Sequence, residues 1–356
     1  MSTLFGSASS TNTANTLGDL GKDVALTSPP EDSVSDINFS TQTQHLAVAS
    51  WDKKVRIYEI AESGGSTGVA AFDHEAPVLS CHWSPDGKKV VGAGADKAAR
   101  VMDMTTQQTS QVAAHDQPIR VARFFTPVAG GDAMLVTGSW DKTIKYWDLR
   151  QQSAAATVQC QERVYTLDVK KNLLVVGTAD RYINVINLSD PTKFYKTLQS
   201  PLKWQTRVVS CFTDATGFAV GSIEGRCAIQ YVEEKDASSN FSFKCHRDPP
   251  QNNMTNVYSV NAISYHPQHG TFSTAGSDGT FHFWDGVAKH RLKGYPTTGG
   301  TISATAFDRT GAIFAYAVSY DWSKGYASNT PQYPNKVMMH PIQTDECKPR
   351  PSVKKR

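Results

Sequence analysis

From about residue 23 onward, short runs of β-forming residues alternate with turn signals, and no segment keeps a helical period. This pattern predicts an all-β chain of many short strands. Two stretches repeat one arrangement: Val136-Thr-Gly-Ser-Trp-Asp-Lys-Thr-Ile-Lys-Tyr-Trp-Asp148 and Thr274-Ala-Gly-Ser-Asp-Gly-Thr-Phe-His-Phe-Trp-Asp285. In each, a Trp follows a turn acid by six positions (Asp141 to Trp147, Asp278 to Trp284) and a Trp-Asp dipeptide closes the run. Weaker copies begin at Ala49, Gly94, Thr178 and Ser222, and a seventh, Ala317 to Asp321, loses the frame after its acid.

The turn acids Asp52, Asp96, Asp141, Asp180, Glu224, Asp278 and Asp321 are separated by 44, 45, 39, 44, 54 and 43 residues. A repeat of about 40 to 45 residues is the period of propeller blades, so the expected fold is an all-β, seven-bladed WD40 β-propeller. In blade 3, His115, Ser139, Asp141 and Trp147 are expected to form the polar chain that ties the blade's turns together. Residues 23–342 are assigned to the ring, with Asp23 to Thr27 supplying a strand to the last blade. The other strands of that blade are Ile302 to Phe307, Ala312 to Ser319 and Lys336 to Ile342. Residues 1–22, rich in Ser, Thr, Asn and Gly, are expected to be a disordered tail, and residues 343–356 a basic C-terminal tail. One ring then accounts for 356 residues that would otherwise suggest two domains.

Composition narrows the class. Mean hydropathy is −0.39 and no apolar run approaches the roughly 18 residues of a membrane helix. The start lacks the basic and apolar regions of a secretory signal, and six scattered cysteines form no C-x-x-C pair, so a reducing cytosolic or nuclear setting is expected. The formal charge of +3 is unevenly placed: Lys348 to Arg356 holds five cations and no acid, leaving residues 1 to 347 at −2. Any nucleic-acid contact must therefore use a local patch.

No phosphate-binding loop, zinc spacing or nucleophile elbow occurs, so neither catalysis nor a cofactor nor a metal is expected. His74 and His115 fall at repeat starts, where a structural role within the blade explains them. In a propeller the turn between the second and third strands and the start of the first strand lie at one end of the ring. That end collects Trp51, Trp140, Glu224 and Arg226 from turns, with Arg163, Arg207, Lys244 and Arg247 from strand starts. Two readings stand: a docking face with aromatic anchors and carboxylate-binding arginines, or a solvated rim whose rings pack on neighbouring blades. A second patch follows blade 6, where Lys289, Arg291 and Lys293 alternate and so share one face of a strand, with Phe243 and Trp284 as aromatic neighbours. It is either a phosphate-binding stripe with stacking rings or a charged edge that resists aggregation.

Lys203-Trp-Gln-Thr-Arg207, Gly221-Ser-Ile-Glu-Gly-Arg226, Phe243-Lys-Cys-His-Arg247 and Ser319-Tyr-Asp-Trp-Ser-Lys-Gly325 closely resemble the nuclear-pore mRNA export factors in their fungal form. These are WD40 propellers that bind the GLEBS hairpin of a GLFG-repeat nucleoporin. A sister family, the spindle-checkpoint propeller that binds such hairpins in checkpoint kinases at kinetochores, shares the Ser-Ile-Glu-Gly-Arg and Phe-Lys-Cys-His-Arg elements. Ser200-Pro-Leu-Lys and Tyr320-Asp-Trp-Ser-Lys-Gly325 favour the export branch. The resemblance implies a non-enzymatic, monomeric adaptor in a heteromeric complex at the nuclear pore, also present in the cytoplasm. It implies that Arg226, with Arg207 and Lys244, faces acidic hairpin residues, that Trp322 and Lys324 join that face, and that the side patch binds single-stranded RNA or messenger ribonucleoprotein.

Overall fold

The computed structural model describes residues 17–127, 131–343 and 345–349. Most of the expected N-terminal tail and Arg350 to Arg356 of the basic end lie outside the described residues. The described strands form seven four-stranded antiparallel sheets, each built from consecutive strands except the last. The innermost strands are Val34–Phe39, Val78–Trp83, Ile119–Phe125, Val164–Lys170, Thr206–Cys211, Val260–Tyr265 and Ile302–Phe307. They are blades 1 to 7 in order. The fourth strand of blade 7 is Val24–Ala25, paired antiparallel with Lys336–Pro341 through Val24 to Met339 and Ala25 to Met338.

Each sheet buries both faces against its neighbours, which explains strands that read as continuous apolar runs, such as the fully buried Leu173–Thr178 and Ile313–Val318. Side chains from adjacent blades share each core cluster. One joins Ala47, Val55 and Ile57 of blade 1 to Val78, Trp83 and Met102 of blade 2. Polar girdles reinforce these seams: the Asn38 carboxamide oxygen accepts from the Trp83 amide (3.1 Å), and the Asp168 carboxylate from the Cys211 amide (2.7 Å). Every innermost strand carries a register shift near its first residues, so each has one bulged residue: Ser35, Leu79, Arg120, Tyr165, Arg207, Asn261 and Ser303.

The turn acids recur where the repeat spacing places them. In blade 3, His115 Nδ1 meets Asp141 at 2.8 Å and its Nε2 meets Thr137 Oγ1 at 2.7 Å, while Trp147 Nε1 donates to the same hydroxyl at 2.8 Å. Burial pulls the His115 pKa down against the attraction of Asp141. Blade 6 repeats the chain: His246 contacts Asp278 at 2.9 Å and Thr274 at 3.0 Å, and Trp284 Nε1 donates to Thr274 at 2.9 Å. The expected chain named Ser139 where Thr137 makes the link. Ser139 instead accepts from the Asp141 amide and donates to the carbonyls of Gln117 and Pro118.

Both ends of the chain are more tightly held than the tail assignments supposed. Residues 17–22, placed in a disordered tail, lie on blade 6: the Gly18 amide donates to the Gly294 carbonyl (2.7 Å) and Leu20 packs on the Phe281, Phe283 and Tyr295 cluster. At the other end Cys347 is buried and its carbonyl accepts from Thr271 Oγ1 at 2.7 Å. The two segments meet at His340. Its Nδ1 contacts Asp23 at 2.6 Å, its Nε2 contacts Glu346 at 3.3 Å, and Tyr316 Oη donates to the second Asp23 oxygen at 2.6 Å. Burial opposes protonation of His340, but hydrogen bonds to Asp23 and Glu346 outweigh it and raise the pKa to about 9.

His340→Gln is expected to cost about 2 kcal/mol of stability at pH 6. A raised pKa stabilises the fold fully below the unfolded value of 6.5 and loses that contribution as pH rises through about 9. Urea unfolding of both proteins from pH 6 to pH 9.5 checks this, with the gap between them expected to narrow across that range.

Candidate functional site

The antiparallel order of each blade fixes which loops share an end. The turn between its second and third strands and the connection onward to the next blade both lie at the end where innermost strands begin. At that end blade 5 gathers the largest charged cluster of the expected face. Glu224 sits in the turn between Gly217–Ser222 and Arg226–Tyr231, and Arg226 pairs in register with Lys244 on the neighbouring strand. Gly225, at φ +65°, passes directly against the carbonyl of His246, an approach that any Cβ would block. The turn is also pinned by the Cys245 amide, which donates to the Gly225 carbonyl at 3.0 Å. This close approach brings Arg247 beside Glu224.

Arg247 Nη2 donates to the Glu224 backbone carbonyl at 2.7 Å and lies 3.6 Å from Glu224 Oε2, which Arg226 Nε approaches at 3.8 Å. The other carboxylate oxygen and Arg247 Nε are buried without a hydrogen-bond partner among the described residues. Two cations, Arg226 and Arg247, thus flank one acid, and Lys244 stands beside Arg226 on the neighbouring strand. Burial and the neighbouring Arg226 both lower the Arg247 pKa. Arg226 keeps 30% of its side chain exposed and Lys244 is exposed, so the cluster can still accept an incoming carboxylate. Two exposed apolar side chains that the sequence reading quoted but did not assign to the site lie in adjoining loops, where the Ile223 amide donates to the Gln205 carbonyl at 3.1 Å: Trp204, 60% exposed, and Ile223, 39% exposed. Their positions, three before Arg207 and one before Glu224, were visible in the chain, but their exposure depends on loop geometry.

The other expected residues of this end fall into separate groups. Trp51 of blade 1 stacks on Trp322 of the long blade 7 loop, with ring centroids 3.9 Å apart and planes 21° from parallel. The two rings thus bridge a blade seam, and both are half-buried. Trp140, on blade 3, is 39% exposed. Arg163 and Lys324 are exposed on blades 4 and 7. Arg207, expected beside Arg226, is the bulged residue of the blade 5 innermost strand and lines the central channel, with Nη2 3.4 Å from the Asp321 carbonyl of blade 7. It is thus a channel residue because its strand borders the channel, whereas Arg226 begins the third strand, further out.

The side patch differs from its expected form. Phe243 and Trp284, offered as stacking rings, are 3% and 6% exposed and belong to the core shared by blades 5 and 6. Trp284 serves the Thr274 chain described above. Lys289 precedes the strand His290–Gly294 in a turn, at φ 56°, and a bulge at Leu292, opposite Phe283 and Trp284, interrupts the alternation between Arg291 and Lys293. The Lys289 ammonium lies 4.9 Å from the centroid of the Phe241 ring. Arg291 remains exposed and Lys293 half-buried. What survives is a basic edge without open rings at those two positions.

Comparison with known proteins agrees with the propeller fold. The family described as WD domain, G-beta repeat matches residues 22–59, 68–103, 107–148 and 241–285. The chain is 69% identical to the mRNA export factor GLE2 of Chaetomium thermophilum, with all of both chains covered. It is 58% identical to the poly(A)+ RNA export protein of Schizosaccharomyces pombe, with 98% of each covered. Protein Rae1 of Drosophila melanogaster is 42% identical, with 98% of this chain and 99% of that protein aligned.

Proposed function

The chain belongs to the GLE2/Rae1 family of WD40 mRNA export factors, and from that premise we propose that it is a non-enzymatic adaptor that tethers messenger ribonucleoprotein at the nuclear pore. One end of the ring holds the GLEBS hairpin of a GLFG-repeat nucleoporin, and the basic edge of blade 6 holds RNA. The observation that carries this reading is the blade 5 cluster, in which Arg226 and Arg247 share the single acid Glu224 and the exposed Lys244 lies in register with Arg226. Such a cluster has cationic capacity left over. An acidic hairpin supplies the missing carboxylates, and Trp204 and Ile223 supply apolar contact beside them. Glu224 holds the two guanidiniums in place from below, so the incoming acid meets a preorganised pair.

RNA contact rests on charge alone at Lys289, Arg291 and Lys293, since the rings of Phe243 and Trp284 are in the core. Charge-only contact reads the phosphate backbone, is indifferent to base sequence, and weakens steeply with salt. A second surface supplied by the bound nucleoporin then adds to affinity by effective concentration.

Arg226→Ala is expected to weaken binding of a GLEBS hairpin peptide at least about thirtyfold in calorimetry, about 2 kcal/mol, because it strands a desolvated acid. Circular dichroism should find the fold intact, and unchanged affinity would remove the basis for the reading. For RNA, three phosphate contacts give an expected slope of about −2 in log K against log salt for single strands. Lys289→Glu combined with Arg291→Glu should weaken binding most at low salt and flatten that slope. A loss independent of salt would point to misfolding instead.

A further inference from the structure

The central channel holds charges that neither proposed surface uses. Its cavity of about 320 Å³ is lined by five cationic side chains, Arg120, Arg123, Lys170, Arg207 and Arg309, against three acids, Asp36, Asp168 and Asp308. The acids are already engaged. Asp36 accepts from Arg123 (3.1 Å), Ser80 (3.0 Å) and the Cys81 amide (3.2 Å). Asp168 accepts from the Cys211 amide at 2.7 Å, and Asp308 from the Ile313 amide at 2.9 Å.

Arg120 and Arg207 stand apart from this accounting. Both are bulged residues of innermost strands, on blades 3 and 5, with Tyr165 at the equivalent bulge of blade 4 between them. The bulge turns each of these side chains out of the blade interface and toward the ring axis. Arg120 Nη1 donates to one neutral acceptor, the Leu79 carbonyl at 3.1 Å, and Arg207 has the Asp321 carbonyl at 3.4 Å. The Asp321 carboxylate itself is taken by Ser277 and Asn261. Neither guanidinium has a salt-bridge partner among the described residues. Burial and the proximity of Arg207 lower the Arg120 pKa to about 10, and burial lowers that of Arg207. Both side chains are half-buried along the channel wall, and like charges sharing a narrow channel are costly unless an anion lies between them.

We propose that the channel is a binding site for a small polyanion, held between the Arg120 and Arg207 guanidiniums with the Tyr165 hydroxyl as a further donor. Planar guanidinium forks favour the paired oxygens of phosphoryl or carboxylate groups, and the cavity has room for a compact metabolite. The ligand neutralises the excess cationic charge and cross-links blades 3, 4 and 5 from inside. Its place on the innermost strands separates it from the Arg226 cluster.

Pyrophosphate and citrate, each titrated calorimetrically into the full chain in chloride buffer of matched ionic strength, test this. Saturable one-to-one binding is expected; preference for pyrophosphate identifies a phosphoryl source and preference for citrate a carboxylate source. Arg120→Gln should weaken the preferred anion at least about tenfold, with Arg120→Lys, which keeps the charge but loses the fork, falling between. Arg226→Ala should leave anion binding unchanged, and Arg120→Gln should leave hairpin binding unchanged. Absence of binding by the unmodified protein, or equal binding by Arg120→Gln, overturns the proposal, and circular dichroism of each variant separates loss of the site from loss of the fold.

Discussion

The structure depends on ring closure. A four-stranded blade exposes two apolar faces, and each is covered only by the next blade, so no sheet is complete until the seventh meets the first. Covalent continuity does not make that last seam. The two-residue strand Val24–Ala25 does, by pairing with Lys336–Pro341, and the Asp23, His340 and Glu346 cluster fastens it. A buried imidazolium between two carboxylates contributes little beyond an apolar filling when intact, yet removing one partner leaves an unpaired buried charge. That asymmetry makes the cluster a specific latch: it favours the one arrangement in which both chain ends reach blade 7.

Closure also braces the end of the ring proposed to dock a partner. The turn containing Glu224 is braced by the Cys245 amide and by the contact of Gly225 with the His246 carbonyl, while His246 itself is tied to Asp278 and Thr274 of blade 6. The chain of contacts runs from the core of blade 6 through His246 to the charged surface of blade 5. Arg226 and Arg247 are therefore held near Glu224 before any partner arrives, which reduces the ordering cost of binding. Where the same polar chain reaches the side of the ring it has the opposite effect: Trp284 is used up in the blade and cannot serve a ligand.

Much of the fold was legible because the repeat is a physical period. Acids at reversing strands, with Trp six positions later, mark the turns and strands of Asp141 to Trp147 and Asp278 to Trp284. Thr137 and Thr274 lay in the same aligned stretches, ten positions before their Trp, but a hydroxyl at a buried strand position gives no sign of its partner until the strands are placed. The terminal latch was illegible for a related reason, since Asp23 and His340 are 317 positions apart. At the site, the identities of Glu224, Arg226, Lys244 and Arg247 could be read, and so could their common end. The separation of Arg207 from Arg226 could not, because it follows from which strand of blade 5 borders the channel. Alternation alone also misplaced Lys289, which sits in a turn before the strand, while a bulge at Leu292 breaks the alternation of Arg291 with Lys293.

Charge is placed locally rather than in bulk: a basic C-terminal end, a cationic cluster on blade 5, a basic edge on blade 6 and a cationic channel, on a chain whose formal net charge is only +3. The central claim is that the blade 5 cluster is where an acidic partner docks. Hydrogen–deuterium exchange of the protein with and without a GLEBS hairpin peptide addresses it most directly. The account predicts slowed exchange centred on the backbone amides of residues 221–226 and 244–248. Protection confined to the opposite end of the ring, with those amides unchanged, would contradict it.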